Sequence, residues 1–283
     1  LQKLAFLFII KDIMDKNLLI AFKEYSALKH KQPYFYSIES SGQVLYYFGA
    51  EHKKDPRHPQ FELLQEKWKE FLQKTFGGKS IVVFEGSVNI NKETTLDEAI
   101  QKYGESGAIV FMGEKAHIVS TRPEPTIKDE ADRLLREFSR DEIFYFYIVR
   151  GVVSWQRSLV RKEFDEFVRQ NIKRYKEALE WSDFDFSFET VKKVHQQIFG
   201  KKFDLDDRDF ISKIPNPTYD ESRINEIARM SSTIRNMAIL DCIESYWQKG
   251  YSIFVVYGAS HAVMQEPAIK SLMSQEVSAK IAS

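Results

Sequence analysis

The sequence predicts an α/β fold: a largely parallel central sheet flanked by helices, with a helical insertion before the last strand. Three observations predict it. Short runs of β-branched and aromatic residues alternate with amphipathic stretches of helical period, the order that produces strand–helix–strand crossovers. Each run hands over to a polar or ionisable group, as strands do at the functional edge of an open sheet. One phrase also occurs twice: Val44-Leu45-Tyr46-Tyr47-Phe48-Gly49-Ala50-Glu51-His52 and Ile253-Phe254-Val255-Val256-Tyr257-Gly258-Ala259-Ser260-His261. Both copies are buried-strand patterns closed by Gly-Ala-x-His, and in both the glycine is expected to permit a backbone turn that leaves the histidine at the strand's exit.

In chain order, residues up to Ala27 read as one or two mixed apolar and charged helices used for packing. Residues 34–38 and 44–48 are strand-like, joined by Ser40-Ser41-Gly42 as a hairpin turn. Pro56 and Pro59 keep residues 53–59 irregular; a helix follows with Phe61, Leu64, Trp68, Phe71 and Leu72 on one side, ended by Gly77-Gly78. Residues 81–84 form the next buried strand and deliver Glu85-Gly86-Ser87. Thr95-Leu96-Asp97-Glu98 is a capping-box pattern opening a short helix. Gly104 and Gly107 punctuate it before a second segment over 108–115. Residues 116–120 are expected as a strand whose exit loop is Arg122-Pro123-Glu124-Pro125. Residues 126–218 turn charged, aromatic and helical, the expected insertion within a single domain spanning 1–283. A long helix over 221–248 feeds the last strand and the second Gly-Ala-x-His.

Length and composition narrow the function classes. The 283 residues suffice for a sizeable core. Forty-one basic residues balance forty-one acidic ones, which argues against nucleic acid and against an anionic membrane surface. Cys242 is the single cysteine, so no internal disulfide forms; its helical setting reads as an inert core thiol. The apolar opening from Leu4 to Ile10 is cut off by Lys11 and Asp12, too short to span a bilayer. A soluble, cytoplasmic protein is expected, with a shortened export signal as the alternative because the chain opens on leucine.

Parallel strands place their exits along one sheet edge, so His52, Glu85, Arg122 with Glu124, and His261 are expected to gather there. Two histidines and a carboxylate suit one divalent metal, manganese, cobalt or zinc, with His52, Glu85 and His261 as ligands. The same set also works without metal, a histidine or Glu85 acting as general base and an arginine stabilising an oxyanion. Arg122 and Glu124 are candidate substrate-binding groups, or a pair that satisfies itself. Glu51 is expected to point away from its neighbour, and Glu114 has no fixed direction. His30, His58, His117 and His195 lack a comparable context. The Asp204-Leu205-Asp206-Asp207 run lacks a calcium loop's glycine and closing glutamate, and reads as a solvated turn.

Gly49-Ala50-Glu51-His52, Phe84-Glu85-Gly86, Arg235-Asn236-Met237 and Gly258-Ala259-Ser260-His261 together resemble the ordered signature of the Tiki/TraB and erythromycin-esterase-like superfamily. The resemblance runs from about Val44 to His261, is carried only by these short motifs, and includes no membrane anchor. It implies an α/β fold with a helical insertion and an active site of His52, Glu85 and His261. It also implies that Arg235 faces the pocket as a catalytic group and that Asn236 lies by the substrate. The expected function is a hydrolase of ester or amide bonds, metal-dependent, acting on a small molecule or peptide. The alternative is a protein that binds a small ligand, metal or haem in the same cleft without turnover. A third reading is a scaffold whose aromatic helix around Phe144, Tyr145, Phe146, Tyr147 and Trp155 meets a partner.

Overall fold

The computed structural model describes residues 18–157 and 161–281; the apolar opening from Leu4 to Ile10 lies outside them. Two compact units result: residues up to Glu124 together with those from Asn236 onward, and Pro125–Arg235. The first unit holds a five-stranded sheet ordered β1-β2-β5-β3-β4, the α/β architecture expected. Its strands are β1 (Tyr34–Ser40), β2 (Gln43–Ala50), β3 (Ser80–Phe84), β4 (Val119–Thr121) and β5 (Ser252–Gly258). β1 pairs antiparallel with β2 through Ser41-Gly42, at φ 52° and 79°; two positive φ values suit the twist of a tight hairpin. β2, β5, β3 and β4 run parallel, so their four exits share one edge. β4 is shorter than expected: residues 116–118 form a turn with His117 at φ 57°, and pairing begins only at Val119.

The strand last in sequence is central in space. β5 fills the slot between β2 and β3, with Ala50 opposite Gly258 and Phe84 opposite Val256. Every residue of β2 and β5 is buried, which is why both read as unbroken apolar runs.

Alternation along the strands divides the core of this unit into two layers. Tyr46, Phe48, Val82, Phe254 and Val256 meet α2 (Pro59–Lys74) and α3 (Leu96–Lys115) through Phe61, Leu64, Phe71, Ile100 and Ile109. Leu45, Tyr47, Val83, Val255 and Tyr257 face the other way. They meet α9 (Arg223–Gln248) and α10 (Ala259–Ile281) through Ile239, Leu240, Ile243, Ala262 and Ile269. Each fully buried side chain of this kind contributes about 1.5–3 kcal/mol. A short helix α1 (Phe22–Ala27) precedes β1.

The capping box forms as expected: Glu98 N donates to Thr95 Oγ1 at 3.3 Å, and Thr95 N donates to Glu98 Oε2 at 2.8 Å. α3 is two helical halves hinged at Gly104, whose φ of 64° and ψ of −141° only glycine adopts readily. Gly107 lies inside the second half.

The second unit is helical: α4 (Ile127–Leu134), α5 (Arg140–Arg157), α6 (Phe164–Leu179), α7 (Phe188–Phe199), α8 (Arg208–Lys213) and the first half of α9. It runs on to Arg235, beyond the expected limit of 218, because Ile224, Ile227, Ala228 and Ile234 belong to its core. Phe144, Tyr145, Phe146 and Tyr147 are buried in that core, and Trp155 is half-buried. The aspartate run is a turn, with Asp206 N on Asp204 Oδ1 and Lys201 on Asp207. Among the described residues no helix is long and apolar enough to cross a membrane.

Candidate active site

His52 leaves β2 with φ 55°, a left-handed conformation that non-glycine residues adopt at a cost of about 1–3 kcal/mol and that clusters at functional positions. The surrounding side chains hold it there. Glu51 N donates to Oε1 of the buried Gln60, and Lys54 Nζ reaches Lys102 O on α3. A Cβ at Gly104 would sit 2.9 Å from Lys53 O, so the helix hinge presses directly on this loop. The hinge also aims the next residue. Glu105, 4% exposed, places Oε1 2.6 Å from His52 Nδ1. A carboxylate accepts, so in this contact Nδ1–H is the donor and Nε2 is turned away from Glu105.

The imidazole, 59% exposed, lies across the end of β5. A Cβ on Gly258 would fall 2.4 Å from His52 Nε2 and 2.9 Å from Cε1. A Cβ on Gly49 would fall 2.8 Å from Ala262 Cβ and 3.0 Å from Ala259 Cα. Neither glycine has a positive φ, so the expected role as turn-maker is corrected: Gly258 makes room for His52 of the first copy, and Gly49 for Ala259 of the second copy and for Ala262 just beyond it.

Glu85, at the exit of β3, bonds through Oε2 to Gly258 N at 2.9 Å, and the same oxygen is 3.9 Å from His52 Nε2. A carboxylate there also complements the positive end of α10. The exit of β4 braces the loop that carries Glu85: Glu124 Oε2 accepts from Gly86 N at 2.8 Å, and Arg122 Nη1 donates to Ser87 Oγ at 3.0 Å. These two candidate substrate-binding residues therefore both hold the β3 exit.

The second histidine has different surroundings. β5 passes straight into α10, which leaves His261 in the first turn and 7% exposed. Its Nδ1 is 2.6 Å from Asn236 Oδ1, which also receives Gln265 Nε2 at 2.8 Å; Gln265 Oε1 in turn accepts the Tyr47 hydroxyl at 3.0 Å. Asn236, expected beside substrate, is 1% exposed and turned inward as the partner of His261. Arg235 precedes it on α9 and falls in the helical unit.

Of the remaining candidates, Glu51 lies 3.9 Å from both Lys53 and His58, and His58 caps α2 by accepting from Gln60 N. Glu114 and His117 are exposed. His30 bonds Tyr25, and His195 is sealed in the helical unit against Tyr145. Glu105 was not singled out in the sequence. Its one signal is the hinge glycine directly before it in a capped helix.

Among the described residues no group of three or more His, Cys, Asp and Glu side chains converges in a way that fits a metal ion. At the strand exits an imidazole is held by a buried carboxylate, with a second carboxylate 3.9 Å from its other ring nitrogen. Comparison with family models, curated proteins and solved structures returns no match.

Proposed function

We propose that the chain is a hydrolase of ester or amide bonds in which His52, oriented by Glu105, is the general base. The observation that carries this reading is the Glu105–His52–Glu85 line-up, 2.6 Å on one side of the ring and 3.9 Å on the other. A single water about 2.8 Å from both His52 Nε2 and Glu85 Oε2 subtends roughly a right angle between them. Both acceptors then take its protons, and the oxygen lone pairs point away toward a carbonyl carbon. As the water attacks, Nε2 takes one proton and the Glu105 carboxylate steadies the imidazolium. The carbonyl C–O or C–N bond breaks as that proton passes to the leaving oxygen or nitrogen. The order of Gly-Ala-x-His, Glu, Arg-Asn and Gly-Ala-x-His supports the same reading through its resemblance to the Tiki/TraB and erythromycin-esterase-like superfamily.

The test is a panel of ester, lactone and peptide substrates on the purified chain, run with chelator and with added manganese, cobalt or zinc. Hydrolysis by the wild type that falls about 10²–10⁴-fold in His52→Ala, whose exposed ring contributes little to packing, is expected. Turnover that survives this substitution overturns the proposal. Stoichiometric capture of a ligand, metal or haem without turnover assigns the cleft to binding instead.

A further inference from the structure

We infer that Gln265 and Tyr47 are positioning residues for His261: acting through the Asn236 side chain, they fix its imidazole as the Nδ1–H tautomer with the lone pair on Nε2. This assignment stands independently of the hydrolase reading above.

The direction of one hydrogen-bond chain decides it. Tyr47 and Gln265 are fully buried, and the phenol donates to Gln265 Oε1 at 3.0 Å. With its carbonyl so engaged, Gln265 turns its NH₂ to Asn236, at 2.8 Å. Asn236 must then present its carbonyl, and a carbonyl only accepts. The remaining neighbour of that oxygen is His261 Nδ1 at 2.6 Å, which therefore supplies the proton. His261 and Gln265, four apart on α10, occupy the same helix face.

The two copies of the repeated phrase thus set each other's histidines. His52 rests on Gly258 of the second copy, and Tyr47 of the first governs His261. One ring answers to a carboxylate and the other to a carboxamide.

The experiment is long-range ¹⁵N–¹H correlation on the full chain labelled in histidine, with His261 assigned by its loss in His261→Gln. The wild type is expected to show a protonated Nδ1 and a lone-pair Nε2. Gln265→Met keeps the side chain's length but removes the amide. Asn236 is then released, and the spectrum should shift to a mixture of tautomers. Asn236→Asp, an obligate acceptor of the same shape, should retain the Nδ1–H form. A wild-type spectrum with Nε2 protonated overturns the inference, as does a Gln265→Met chain still wholly in the Nδ1–H form. Absence of hydrolysis with the expected tautomers removes the hydrolase reading and leaves the inference standing.

Discussion

Replacing Gly258 by alanine isolates the seat of His52. The new Cβ would lie 2.4 Å from Nε2 and 2.9 Å from Cε1. Non-bonded carbon contacts settle near 3.5–4.0 Å, so the ring must retreat by roughly 1 Å. The backbone offers no objection, because Gly258 is not in the left-handed region and alanine is compatible with a strand end. The ring can move, being 59% exposed, but in moving it gives up the 2.6 Å contact with Glu105. Leaving that carboxylate buried and short of a partner costs about 1–3 kcal/mol. A displacement of 1 Å at a reacting group costs about 10²-fold in rate, or roughly 2.7 kcal/mol of transition-state stabilisation. Gly258→Ala is therefore expected to stay folded, lose 1–3 kcal/mol in urea titration (the range above) and drop kcat about 10²-fold. The cycle with His52→Ala tests the route: once the ring is gone, the alanine should have almost no further effect. Wild-type activity in Gly258→Ala, or losses that add fully in the double variant, would refute the reasoning.

Glu105→Gln keeps the shape and removes the charge, so kcat should fall about 10- to 100-fold with KM unchanged; equal kcat in steady-state assays would end the orienting role. In the helical unit, burial pushes the His195 imidazole below its usual value, and the nearby Lys201 adds to this. The unfolded chain then binds a proton near pH 6.5 that the folded one refuses. Stability is therefore full above about 6.5 and falls as pH drops from there toward the depressed folded value. Urea titrations at pH 7.5 and 5.0 should show that slope in the wild type and a flatter one in His195→Asn. Burial pushes the Cys242 thiol up to about 11. At pH 8 the thiolate is then roughly 0.1% of the total, so disulfide-exchange labelling should be far slower in the native chain than in the unfolded one. Equal rates would contradict the burial.

How much of the site was legible depends on how local its cause is. Glu85 stands out because it directly follows an unbroken apolar run, and His52 and His261 because each closes the Gly-Ala-x-His that ends one; such runs are legible wherever both faces of a strand are buried. The hairpin at Ser41-Gly42 and the capping box at Thr95 are local chemistry and were equally plain. The glycines of the repeated phrase were misread because a glycine needed for close approach has the same letter as one needed for a turn. Only the packing partner, His52 over Gly258 and Ala262 over Gly49, tells them apart. Asn236 was placed beside substrate by resemblance, whereas its burial depends on Gln265 and Tyr47, remote in sequence. Glu105 was missed for the same reason: a glutamate in a charged helix looks solvated until a hinge turns it inward.

By itself the sequence determined the strand runs, the helices between them, the helical insertion, and the two histidines at strand ends, since periodicity and turn residues act over a few positions. Tertiary structure alone decided that the last strand inserts between the second and third, because strand order is set by which apolar faces cover one another. That insertion lays Gly258 beneath His52 and ties Glu85 to Gly258 N, and it brings the Tyr47–Gln265–Asn236 chain to His261. Opposite ends of the chain thereby supply one site, and the different partners of two near-identical histidines follow from the layers that meet there.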